Sequence, residues 1–132
     1  MALVGTASSP KMKVDGLKIY PLVYVGTPYT LYPGGVDRAY EDTLVLTGKL
    51  VDRGIMAFSP IVHAHAIKKH VADKSFEFWV ERYDTAFMKK ADCLIVAMMP
   101  TWEISRGLQH EIQYFLEAGK PVYYLDPDTL EV

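Results

Sequence analysis

Two carboxylates fall where helical periodicity turns them toward an apolar core. If residues 106–118 are helical, Leu108, Ile112, Phe115 and Leu116 share one stripe, and Glu111 sits beside Phe115 at its edge. An acid at that position faces inward. Either it reaches out to solvent or an arginine, or it is kept for chemistry. Glu111 is also less than two turns from the helix start, the end that faces the ligand crevice of an open α/β sheet. In the preceding helical stretch Asp84 flanks a stripe centred on Phe76, Tyr83 and Phe87 and lies next to Val80. An ordinary surface acid has a cation one turn away. Arg82, Lys89 and Lys90 lie at spacings that do not face Asp84.

Three further groups offer binding rather than bond-breaking. Ser105-Arg106-Gly107 ahead of a helix supplies a hydroxyl, a guanidinium and free N–H groups, suited to a phosphate or a hydroxyl-rich ligand. The same pattern also serves as a purely structural N-cap. Gly26-Thr27-Pro28-Tyr29, followed by Pro33-Gly34-Gly35 and Arg38, supplies a close-approach loop, a stacking aromatic and a cation near a helix start. It is neither a Walker A loop nor a Gly-x-Gly-x-x-Gly fingerprint, which argues against nucleoside triphosphates and dinucleotides. His63, His65 and His70 invite a metal reading, but no carboxylate or cysteine completes a ligand set, and a helical segment would separate His63 from His65. Substrate contact, with His63 as the candidate, or loop packing is the expectation, with no metal and no cofactor.

These residues require a scaffold, and short apolar runs alternate with stretches of helical period. Strands are expected over 22–25, 55–58, 93–98 and 122–125, and helices over 36–53, 75–90 and 106–118. Residues 63–70 read as a loop or a short helix. Ser105 takes the N-cap position of the last helix and Gly119 ends it. The pattern implies an α/β fold, a small doubly wound, flavodoxin-like sandwich with a four- to five-stranded parallel sheet. Ligands then bind beyond the carboxyl ends of the strands, where 26–35, 59–70 and 99–107 form the loops.

A chain of 132 residues, half of them hydrophobic, suits one packed domain. Residues 1–16 lack periodicity and read as a flexible leader that adds little to the core, leaving 17–132 as the single domain. A net charge of −2 offers no footprint for polymeric nucleic acid. The single cysteine, Cys93, lies in an apolar run, and no segment has the length of a membrane span or the pattern of a signal peptide. A reducing, cytoplasmic setting is expected. Tyr20, Tyr24, Tyr32, Trp102 and the aromatic helix suggest more apolar surface than one small sheet can cover, and hence a homodimer or higher homo-oligomer.

Three segments together resemble the nucleoside 2-deoxyribosyltransferase-like superfamily, which includes the 2'-deoxynucleoside 5'-monophosphate N-hydrolases. They are Tyr24-Val25-Gly26-Thr27-Pro28-Tyr29; Asp84 with Ala91-Asp92; and Ser105-x-Gly107-x-x-x-Glu111 with Gly119-Lys120-Pro121-Val122. The resemblance implies that Glu111 attacks the anomeric carbon, that Asp84 lies near base and sugar, and that Ser105 binds a 5'-phosphate. Breaking an N-glycosidic bond leaves positive charge on the sugar and negative charge on the base, which a carboxylate nucleophile and a proton donor serve. The sequence stops at Val132, without the longer C-terminal segment of that superfamily's transferases, so hydrolysis is expected ahead of base exchange. The histidine-rich stretch also departs from those transferases, and substrate identity is free to differ there. The alternatives are a non-catalytic nucleotide-binding module on the same sheet, or a metal-dependent hydrolase using the three histidines.

Overall fold

Period-two alternation in the short apolar runs lets each strand serve two layers. The computed structural model describes residues 12–132. Its strands are β1 (Val23–Gly26), β2 (Ala57–Phe58), β3 (Cys93–Ala97) and β4 (Val122–Leu125), and its main helices α1 (Val36–Asp52), α2 (Pro60–Lys68) and α4 (Arg106–Glu117). A π-helical segment, Glu77–Asp84, runs directly into a short α3 (Thr85–Met88). The sheet order is β2-β1-β3-β4 and every neighbouring pair is parallel, with Val23 opposite both Ala57 and Cys93, and Leu94 opposite Val122. This is a doubly wound, flavodoxin-like α/β sandwich. The winding reverses between β1 and β3, and the crevice opens beyond their carboxyl ends.

Val23, Val25, Cys93, Ile95 and Ala97 point to one face and pack with Ala39, Leu46 and Leu50 of α1. Tyr24, Leu94 and Val96 point to the other and pack with Met88 and with Leu108, Ile112 and Phe115 of α4. β3 is buried along its whole length, as its unbroken apolar run requires. Leu116, expected on the buried stripe of α4, is 59% exposed. The packed face of that helix is narrower than the apolar pattern implies.

The amino-terminal part of the domain starts earlier than expected. Residues 1–11 of the expected leader lie outside the described residues. From Met12 the chain is tied down: the Met12 and Val132 backbones bond to each other at 3.0 and 2.8 Å, Lys13 bridges Glu131, and Val14 and Leu17 are fully buried. The contact is to the far end of the chain, so no local periodicity announces it.

Two helical assignments also change. Of the two readings of the histidine-rich stretch, loop or short helix, the chain takes the helix, and starts it at Pro60 rather than 63: Ser59 Oγ accepts the Val62 N–H at 3.1 Å, and Pro60 fits the first turn. The helix expected over 75–90 is π-wound through Glu77–Asp84, with Ser75 Oγ accepting the Phe78 N–H at 3.2 Å and Trp79 Nε1 donating to the Asp73 carbonyl at 2.8 Å. The wider winding changes which side chains stack above one another, and π turns recur at functional sites.

Candidate functional site

Glu111 stands on α4, and its N-terminal turn is set by Ser105, whose Oγ accepts the Leu108 N–H at 3.3 Å. Helical spacing from Leu108 and Phe115 then drives Glu111 inward, leaving it 5% exposed. Its Oε2 accepts the Tyr24 hydroxyl of β1 at 3.1 Å. Its Oε1 crosses Gly26, where a Cβ would stand 2.8 Å away and only 2.6 Å from Leu108. Glycine at that point lets helix and strand approach closely enough for the carboxyl to sit over the strand end.

Burial raises the Glu111 carboxyl well above its ordinary value, and the charge of Asp84 raises it further, against the Tyr24 hydrogen bond. Burial likewise pushes Asp84 up to about 7, with the Lys68 ammonium opposing it. The cation facing Asp84 thus comes from α2, not from its own helix. Tyr24 is itself raised by burial and by the two carboxylates, which keeps its hydroxyl a proton donor. Burial thus favours the neutral form of both carboxyls, and the charge of Asp84 adds to that effect at Glu111.

Both carboxyls line a cavity of about 340 Å³. Thr27, Tyr29, Ser105, Arg106 and Gly107 line it too, so with Glu111 and Asp84 seven of the eleven residues expected to catalyse or bind substrate meet at one place. Arg106 holds its guanidinium 3.8 Å from the Phe76 ring centroid, at the cavity's edge. Gly26 lies beneath Glu111, and Pro28 is buried at the strand end without lining the cavity. Arg38 and His63 fall outside it. Arg38 pairs with Asp42 one turn on, Nε to Oδ1 at 3.0 Å, and His63 bonds the Tyr83 hydroxyl at 2.8 Å while stacking on that ring. Arg38 answers an i,i+4 acid, and the helical winding of α2 sends His63 away from the cavity.

His65 is the histidine that lines the cavity, through contacts with Tyr29 and Asp37. His63 and His65 therefore diverge on α2, as a helix requires of residues two apart. Among the described residues no three metal-ligating side chains converge. The sequence reading did not assign the cavity residues Lys68, Lys74, Ser75, Phe76, Trp79 and Val80 to the site. Ser59-Pro60, a helix start, was the available signal for α2 and hence for Lys68. Nor did it give Tyr24 a place at Glu111, because it counted that ring toward an assembly surface, whereas the residue is fully buried. Its partner is 87 positions away.

The domain is thus a doubly wound α/β sandwich with a cavity beyond the carboxyl ends of β1 and β3, lined by Glu111 and Asp84 and by the cations Lys68, Lys74 and Arg106, the position at which folds of this class bind ligands. The profile of the family described as "Domain of unknown function (DUF1937)" matches residues 21–126, and the chain belongs to that family. A comparison with curated proteins gives no match.

Proposed function

We propose that the protein cleaves or exchanges the N-glycosidic bond of a nucleoside or nucleoside 5'-monophosphate through a glycosyl-enzyme on Glu111. The observation that carries the reading is the buried Glu111 carboxyl in the cavity wall, hydrogen-bonded by Tyr24 and electrostatically coupled to Asp84. A binding module has no use for such a pair, since an unneutralised inward acid costs stability. An enzyme that must protonate a leaving base and trap the sugar needs both members.

In the first step the Glu111 proton passes to Asp84 and on to the base as the C1'–N bond breaks and its electron pair goes to the base. The Glu111 carboxylate, with Tyr24 donating to Oε2, forms the new bond to C1'. In the second step a water or another acceptor gives its proton to Asp84 and displaces Glu111 from C1'. In this reading Arg106, Ser105 and the N–H groups around Gly107 hold a 5'-phosphate at the start of α4, where hydrogen bonds and the helix dipole act together; the lining of the cavity by all three residues supports it.

Turnover of a panel of nucleosides and monophosphates, followed as free base by chromatography, tests the reading. Glu111→Gln is expected to lose several orders of magnitude, because the amide keeps volume and removes the nucleophile. Asp84→Asn is expected to lose less. Removing the Asp84 charge lowers the Glu111 pKa, so the acid limb of the pH–rate profile moves to lower pH. A Glu111→Gln protein that still releases base at the parent's rate overturns the assignment.

A further inference from the structure

Tyr29, His65 and Asp37 form a hydrogen-bonded chain that the carboxyl chemistry does not use. The Tyr29 hydroxyl lies 2.6 Å from His65 Nδ1, and His65 Nε2 lies 3.1 Å from Asp37 Oδ1. Tyr40 stacks on the imidazole at 4.3 Å and 19°, fixing the plane of the ring. Tyr29 and His65 line the cavity, while Asp37 is 92% exposed in its side chain.

The chain has a direction. A carboxylate only accepts, so Asp37 requires the imidazole hydrogen on Nε2. In the neutral ring this leaves Nδ1 as a lone pair, which accepts the Tyr29 O–H. With its one hydrogen committed to His65, the Tyr29 oxygen has only lone pairs left for a ligand. Asp37 needs little binding strength for this, because choosing a tautomer takes only a bias of a few times thermal energy. Lys68 stands beside the same group, its Nζ 5.3 Å from the Tyr29 ring centroid and 5.6 Å from that of Trp79. That wall of the cavity therefore combines two aromatic rings with one acceptor oxygen and one cation.

We infer that Tyr29 is a specificity-determining residue, held by His65 and Asp37 as a hydrogen-bond acceptor, so that the cavity selects a base carrying an N–H donor. This rests on the nucleotide reading of the cavity. The site rejects an otherwise identical ring without the donor, because the Tyr29 oxygen would be left without a partner on binding. Tyr29 is the specificity residue; His65 and Asp37 are positioning residues that act through it.

The test is calorimetric binding to the Glu111→Gln protein, which holds nucleotides without turning them over. The probes are 2'-deoxyadenosine 5'-monophosphate against its counterpart with unsubstituted purine, and 2'-deoxycytidine 5'-monophosphate against its pyrimidin-2-one counterpart. The measurements are made at pH 8; the groups in contact with His65 are Asp37, Tyr29 and Tyr40, with Lys68 over the Tyr29 ring. In at least one pair the donor-bearing nucleotide is expected to bind roughly tenfold tighter. Tyr29→Phe should weaken that nucleotide alone and abolish the preference. His65→Phe, which keeps an aromatic ring under Tyr40 but frees the Tyr29 hydroxyl to turn, should reduce the preference while Tyr29 remains. Equal affinities within both pairs, or a preference that survives Tyr29→Phe, overturns this inference and leaves the nucleotide reading standing. Absence of binding by all four probes overturns the nucleotide reading and this inference with it.

Discussion

At the scale of single residues, Glu111 sets catalysis and stability against each other. Its pKa in the folded protein is raised from an ordinary 4.5, so the native state holds the proton more tightly than the unfolded chain does. The stability this contributes is fully present below the unfolded value and is lost as pH rises through the folded one. Asp84 adds the same sign over the interval from 3.8 to about 7. Glu111→Gln removes the Glu111 contribution and keeps a group that can accept from Tyr24. The variant is therefore expected to melt at or above the parent temperature, with the margin widening between pH 5 and pH 8 in parallel thermal melts. A margin that shrinks as pH rises would mean that Glu111 is ionised and paired in the native protein.

At the scale of elements, two helix ends hold the site in register. Ser105 caps α4 and lines the cavity, so one side chain serves both fold and ligand. Ser105→Ala should cost about 1 kcal/mol of stability and should lower the preference for monophosphate over nucleoside, measured as the ratio of their kcat/KM. A ratio that does not change would take the phosphate away from the α4 terminus. At the other end, Lys120 Nζ donates to the carbonyls of Met88, Lys89 and Ala91 at 3.1, 3.0 and 2.7 Å, closing the end of α3 just before β3. Lys120→Met keeps the aliphatic stem and removes those bonds, at an expected cost of about 1–3 kcal/mol in denaturant unfolding. The Gly119-Lys120-Pro121 segment is thereby explained as architecture: Gly119 takes a φ of +71° to leave α4, and Lys120 reaches back to the neighbouring helix.

For the whole molecule, the aromatic argument for assembly changes its footing. Tyr24 and Tyr32 are buried, at 0% and 8% exposure, and offer no surface to a second copy. Tyr20 is half-buried against Tyr123, their hydroxyls 2.5 Å apart. The exposed apolar residues are others, Ile19, Ile104, Leu116 and Val45 among them. Of the aromatic argument Trp102 and the helix expected over 75–90 remain, and homo-oligomerisation stands as a proposal. Light scattering at micromolar protein is expected to return a multiple of 14.9 kDa, and the single-chain mass would contradict it. Among the described residues no helix is long and apolar enough to cross a membrane.

Local periodicity carried the sheet, α1, α4 and the inward turn of Glu111, because burial along one element leaves its mark at fixed spacings in that element's own sequence. It also placed the loops after β1 and β3 at the crevice, since a parallel sheet with crossovers has one ligand-binding edge. Contacts between elements carry no such mark. That Tyr24 donates to Glu111, that Lys68 faces Asp84, and that His65 rather than His63 enters the cavity depend on how separate helices sit on the sheet. The π winding before α3 was equally illegible, because a 3.6-residue wheel presumes the hydrogen-bond register that tertiary packing decides there. The burial of Val14 against the far end of the chain belongs with these cases. In each, the partner is remote in sequence, and only the folded chain brings the two together.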